Sequence, residues 1–462
     1  MTDSLKHDNP ALTKIKKYFN NAVIIYAFAF ILFQVFERII PFVVFINEGT
    51  NQILFNIFAI AGFVLVCADM FLERTFFKSK LFIPLLIFYI ICCISTVLNI
   101  DYGYEENLKT LVWFAIHLNI FYTLSVRIGK EKFLKLLNKL FYAMSAVWTV
   151  AILVSLYSFF KMDGSEIVVQ NDVVRQGFVD SRLFGVFIDP NHAAIEAFIF
   201  ILFSVFYFNK KNKWVLIPFI FINTIYIILS GSRTVIILCL AVPFFLFALM
   251  IYQEIKLKHF NKKIVVVLLL CGYLVFYFYN CKPILTLIPE KIFHSKLTLN
   301  SSEVENADPG HILDRPDTGS ENISNNRIDI WEGYLKTVPD DLIFGKSPRN
   351  AIKIITDMYP ENFVSVRQYE THNGYLSVLV CTGVLGLIAV AAFLLKIAYT
   401  FFRDINKNSI KDDYIMIFLI VISLLFFTCF FSNLFFINNL STILFWMFIG
   451  YIANYNTQEK CS

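Results

Sequence analysis

One recurrence constrains this chain more than any other feature: apolar runs of about 20 residues follow one another from end to end, separated mostly by short polar connections. A helix of that length crosses the roughly 30 Å of hydrocarbon in a bilayer, whereas barrel strands are about 10 residues long and alternate in polarity. These runs are continuous, so the expected fold is an all-α polytopic membrane bundle. Composition agrees, with 57% of the 462 residues apolar and only 16% charged, against about 25% charged in a soluble domain. Roughly twelve transmembrane helices are expected, near residues 20–40, 52–72, 81–99, 107–126, 139–160, 191–209, 213–231, 233–252, 263–281, 373–400, 411–431 and 433–453. A large extracytoplasmic loop, 282–372, falls between the ninth and tenth. Lys6, Lys14, Lys16 and Lys17 precede the first span, which lacks a small-residue cleavage site and is expected to be retained.

Cytoplasmic loops of membrane proteins are enriched in Lys and Arg. Here the basic residues fall at the amino terminus and then in every second connection: Arg74/Lys78/Lys80, Arg127 to Lys139, Lys210 to Lys213, Lys256 to Lys263, and Lys396 to Lys411. The alternate connections are acidic or nearly neutral, including 161–190, the hinge Ser230–Arg233, the long loop and Ser432–Asn433. The expected topology therefore puts both termini in the cytoplasm and the long loop outside. Within that loop, Ser295 to Asn326 is polar and aperiodic and is expected to be mobile. From Arg327 onward Ile328, Trp331 and Leu335 recur at helical spacing, predicting an amphipathic helix that a breaker-rich turn, Phe344 to Pro348, brings to an end. The chain divides into N-terminal helices (1–180), a central region (181–390) and C-terminal helices (391–462).

Of the nine cysteines most lie in expected spans and no C-x-x-C occurs, so they are expected to be packing residues. The glycine loops GxxxxGK[ST] and GxGxxG are missing, which argues against an ATP-driven pump. Chemistry is expected instead at the outer rim. Arg182, Asp189, Asn191 and His192 stand at or just before the sixth span, with Glu196 one turn deeper than His192. An ionisable residue within a span is a functional candidate, although pairing of Glu196 with His192 or a nearby Arg is an equal reading. Arg233 follows Ser230-Gly231-Ser232 in a tight turn. It either snorkels to lipid phosphate or presents its planar fork as a phosphate clamp, with the small residues, Ser232 among them, allowing close approach. In Thr371-His372-Asn373-Gly374, a histidine at the re-entry of the loop has an unperturbed pKa of about 6.5, suited to taking a proton from a hydroxyl. Gly383 and Gly386 read as a close helix-packing face.

Ser-Gly-Ser-Arg at a hairpin, Arg182 ahead of a Pro-Asn helix start, Arg327 followed by Ile-x-x-Trp, and His372-Asn373 spaced nine residues from Gly-x-x-Gly together resemble the O-antigen ligase and polymerase family, most densely from Arg182 to Gly386. The resemblance implies a metal-independent glycosyltransferase with no cofactor, working outside the bacterial cytoplasmic membrane on glycans carried by undecaprenyl pyrophosphate. It implies that Arg182 and Arg233 bind pyrophosphate, that His372 is the catalytic base, and that Arg327, Asn373, Asn191 and Ser232 contribute to substrate binding. Expected partners are the lipid-linked oligosaccharide, membrane lipids, and a chain-length regulator and flippase of the same pathway; no nucleic acid is expected. No Asp-x-Asp occurs, which disfavours metal-assisted transfer from a nucleotide sugar. Polymerisation of a surface polysaccharide, O-antigen or capsule, is favoured, with ligation to a lipid or protein acceptor as the alternative. An oligosaccharide flippase is the reading from another class, although such transporters place their sites at the bilayer midplane on related broken helices, a pattern this sequence lacks.

Overall fold

The computed structural model describes residues 10–169, 172–207, 213–257, 262–280, 285, 288–289, 326–405 and 412–455. A helix overlaps each expected span: α1 (Pro10–Phe36), α2 (Glu48–Leu72), α3 (Phe82–Leu98), α4 (Glu105–Ile128, including a π-helical stretch at His117–Tyr122), α5 (Lys130–Lys161), α6 (Pro190–Tyr207), α7 (Lys213–Ser230), α8 (Arg233–Leu257), α9 (Lys262–Asn280), and, after three short helices described below, α13 (Gly374–Ile405), α14 (Asp412–Phe430) and α15 (Leu440–Asn454). Seven of the described helices are long and apolar enough to cross a membrane, and four shorter apolar helices accompany them. The protein is an all-α polytopic membrane protein.

Burial follows composition. α6 and α15 are apolar on every face and are buried along nearly their whole length, so they form the middle of the bundle. α2 instead exposes Ile53, Ile57, Ile60, Val64 and Phe71 on one flank. Polar groups deep in the bundle find partners here. Asp69 meets Arg127 at 2.7 Å, and His117 meets Asn438 at 3.1 Å.

Several boundaries depart from expectation. The first helix starts at Pro10, ten residues early, because its lysines extend from helical backbone instead of preceding it. The last connection is no two-residue turn at Ser432–Asn433 but a loop from Phe431 to Asn439, where the Asn439 side chain caps α15 by accepting from Thr442 N at 2.9 Å. The stretch 161–190, expected as an outer loop, contains a three-stranded antiparallel sheet: β1 (Gly164–Val169), β2 (Asp172–Val179) and β3 (Arg182–Gly185). Its Val and Ile residues favour extended backbone.

The loop before α13 is described from Asn326 onward. It holds α10 (Arg327–Leu335), α11 (Ala351–Met358) and α12 (Phe363–Arg367). The expected mobile stretch Ser295 to Asn326 lies outside the described residues apart from Asn326 itself. α10 ends at Leu335, and the breaker-rich turn does something other than terminate it. Gly383 breaks α13 with φ +66°, and a Cβ added there would lie 2.2 Å from the Ile343 carbonyl oxygen. The helical bond from Val384 N to Val380 O is replaced by two bonds to the loop: Lys346 N donates to Val380 O and Val384 N to Leu342 O, both at 2.8 Å. Ser95 of α3 completes the clasp, donating to Cys381 O at 2.8 Å and accepting from Ser347 N at 2.9 Å. Gly383 thus admits a loop rather than a neighbouring helix, while Gly386 faces Phe88 of α3.

Candidate functional site

At the end of the bundle where α7 meets α8, a cavity of about 480 Å³ is lined by Arg182, Asn191, Arg233, Arg327 and His372 among others. Five residues singled out along 190 positions of sequence therefore line one space. Each is placed by a different element.

Arg182 opens β3 after a tight turn in which Asp180 and Ser181 both take left-handed backbone. Its Nε donates to the Ser230 carbonyl at 2.9 Å and its Nη2 to Asn191 Oδ1 at 3.0 Å, while the guanidinium lies over the Phe184 ring. Ser230 is the last residue of α7, so the cation meets the negative end of that helix. Arg233 is the first residue of α8, two positions beyond the left-handed Gly231. Arg182 and Arg233 are thus fixed to either side of one three-residue turn. Asn191 stands in the first turn of α6, its backbone N–H bonded to Asp189 Oδ1 at 2.7 Å.

α10 forms another wall. Arg327 begins it, and two side chains further along hold the segment that carries the histidine: Trp331 Nε1 donates to Thr371 O at 3.0 Å, and Tyr334 OH to Tyr369 O at 2.9 Å. His372 itself has φ +45° and packs against Phe431 of the last connection. Burial and the Arg327 charge push its pKa below the ordinary value, against weaker opposing pulls from Glu370, Asp189 and the Phe431 backbone. The imidazole is therefore neutral at neutral pH, the form that accepts a proton.

First-turn residues of α6, α8 and α10 all line the cavity, and helix N-termini favour anions. With three arginines added, the space is built for concentrated negative charge. Ile237, Phe430 and Phe431 supply an apolar side, and Trp331 and Tyr369 supply aromatic faces.

Two predicted residues stand apart from this lining. The Asn373 side chain accepts from Tyr375 N and Leu376 N, each at 3.0 Å, and so caps α13. Ser232 is buried in the turn before Arg233, its backbone N–H bonded to Ser230 Oγ at 3.3 Å. One residue was missed in sequence. Arg38, just beyond α1, pairs with Glu196 at 3.2 Å and reaches His192 Nδ1 at 3.4 Å, so the i, i+4 pair on α6 shares a cation 150 residues upstream. Backbone bonds Ile40 N to Val186 O (2.8 Å) and Ile188 N to Arg38 O (3.1 Å) brace the same place. An arginine close to the end of the expected first span was the only available signal.

Residues 218–391 match the family model described as O-antigen ligase, a segment that contains Arg233, Arg327 and His372. No curated protein matches the chain.

Proposed function

We propose, from the match of residues 218–391 to the family model described as O-antigen ligase, that the chain is a glycan-transferring enzyme that polymerises repeat units of a surface polysaccharide carried on undecaprenyl pyrophosphate. The observation that carries this reading is the convergence of Arg182, Arg233, Arg327 and His372 on one cavity. An acceptor hydroxyl attacks the anomeric carbon of the donor sugar as the bond from that carbon to the pyrophosphate oxygen breaks. The hydroxyl proton passes to the neutral His372 ring. The arginines and the helix N-termini offset the charge gathering on the departing pyrophosphate. That carrier is already a good leaving group, so a base and fixed cations suffice. The Lys/Arg bias of the connections supports an outer-face site in the cytoplasmic membrane with both termini inside.

The test is the length and attachment of surface glycans in a strain lacking the gene, complemented with wild type, Arg233→Ala, Arg233→Lys or His372→Ala. Single repeats on their usual acceptor in the null and in both alanine variants support the polymerase. Long glycans left on undecaprenyl pyrophosphate outside the membrane replace it with a ligase, and repeats left on the cytoplasmic face replace it with a flippase. Arg233→Lys keeps the charge and loses the fork, and is expected to lose about a hundredfold in transfer rate. A near-normal glycan length in that variant would overturn the clamp.

A further inference from the structure

A second charged cavity lies at the other end of the molecule. It measures about 400 Å³, and its polar lining comes chiefly from Lys16, Lys17, Asn20 and Asn21 of α1, Arg127 at the end of α4 and Lys132 at the start of α5. Its lining lysines on α1 (Pro10–Phe36) precede Arg38 by about 21 residues, which at 1.5 Å per residue is about 30 Å along the helix from the region around Arg38. Nothing in the glycan-transfer chemistry uses it.

Its charges fall into two sets. Arg127 is the wall: its side chain is only 1% exposed, and it is held by Asp69 at 2.7 Å, Glu73 at 3.1 Å and Asn20 Oδ1 at 3.3 Å. Those two carboxylates more than balance it, yet among the described residues its buried Nε has no hydrogen-bond partner. The lysines are the rim. Lys17 and Lys132 are exposed and Lys16 is half-buried, and among the described residues none of the three makes an ion pair with a carboxylate. Three uncompensated ammonium groups around a hollow with two amides call for an anion with several acceptor oxygens. The apolar part of the lining is Ile24 and Ile128, and Ile25 beside them on α1 is 68% exposed, an apolar flank on the side of the lysines away from the helix start.

We propose that this cavity binds the headgroup phosphate of an anionic phospholipid, with the acyl chains lying along the Ile24, Ile25 and Ile128 flank. The shared chemistry is a phosphate anion; the apolar flank is what favours a lipid over free phosphate. Basic pockets between helices on the lysine-rich side of a membrane protein suit such headgroups, and each Lys near an anionic surface contributes about fivefold in affinity, so three contribute about a hundredfold.

The test uses the purified full-length protein in detergent, with thermal stability measured against short-chain phosphatidylglycerol, short-chain phosphatidylcholine and inorganic phosphate. The expected result is stabilisation by phosphatidylglycerol alone, needing about a hundredfold more lipid in Lys16→Gln/Lys17→Gln/Lys132→Gln and a near-wild-type concentration in the corresponding triple Arg variant. The Arg variant separates loss of charge from loss of fold. Equal stabilisation by inorganic phosphate overturns the lipid assignment in favour of a soluble anion. Equal stabilisation by phosphatidylcholine, or an unchanged response in the triple Gln variant, overturns the site.

Discussion

Replacing Arg38 with Met tests whether the cavity depends on a brace that none of its lining residues supplies. Glu196 is 1% exposed and Arg38 16% exposed, with 3.2 Å between their charged atoms. Removing one partner of a buried pair costs about 3–5 kcal/mol because the other charge is left behind, and the part-exposure of Arg38 points to the lower end, about 3 kcal/mol or roughly 150-fold in a local equilibrium. The loss falls where α6 begins. There Asn191 holds Arg182, and the Ile39–Phe187 bridge fixes the chain entering the helix. Arg38→Met is therefore expected to lower both thermal stability, followed by size exclusion after heating, and glycan length, followed on gels. The double variant Arg38→Met/Glu196→Met removes the stranded charge along with its partner. Apolar replacement of a whole buried pair is neutral or stabilising, so the double variant regains both properties. If Arg38→Met is as stable as wild type, or if the double variant is no better than the single, the bracing argument is wrong.

Transfer by a neutral His372 rises with pH as the imidazole loses its proton, along a limb below the ordinary histidine pKa, and then levels off. Because the Arg327 charge helps hold that pKa down, Arg327→Gln moves the limb toward higher pH; a pH–rate profile with an unmoved limb rejects this electrostatic role. Asn373→Asp keeps a cap on α13 and is expected to keep activity, whereas Asn373→Ala costs about 1 kcal/mol of stability; loss of transfer in the Asp variant at unchanged thermal stability would give Asn373 a role at the substrate. Gly383→Ala forces a Cβ toward the Ile343 carbonyl and a left-handed φ on alanine, so little monodisperse protein is expected on size exclusion, and a normal yield contradicts the clasp geometry.

The sequence carried the bundle because span length is set by the bilayer and not by distant contacts. The rim residues were legible for a related reason: Arg233 in a turn of small residues and His372 at a loop re-entry are conspicuous against apolar surroundings. What stayed hidden depends on pairing across the chain. Arg38 gains its meaning only from Glu196, 158 residues away. The strands at 164–185 are short, and their valines sit beside apolar helices that mask the alternation. Asn373 stands next to the cavity-lining His372, but whether its amide faces a ligand or the first N–H groups of a helix is decided by a single rotamer.

The clasp at Gly383 bears on how the protein is made. Val380 and Val384 of α13 each direct a backbone group away from their own helix, and both groups are met only by the segment around Leu342 and Lys346. In lipid an unmet backbone group costs several kcal/mol. That segment leaves the ribosome before α13 does, and α13 has every backbone group met only once the stretch ahead of it has folded back. Maturation of the protein is thereby tied to placement of the segment ahead of α13, and a chain in which that segment fails to fold back is left with a blemished helix for membrane quality control to find.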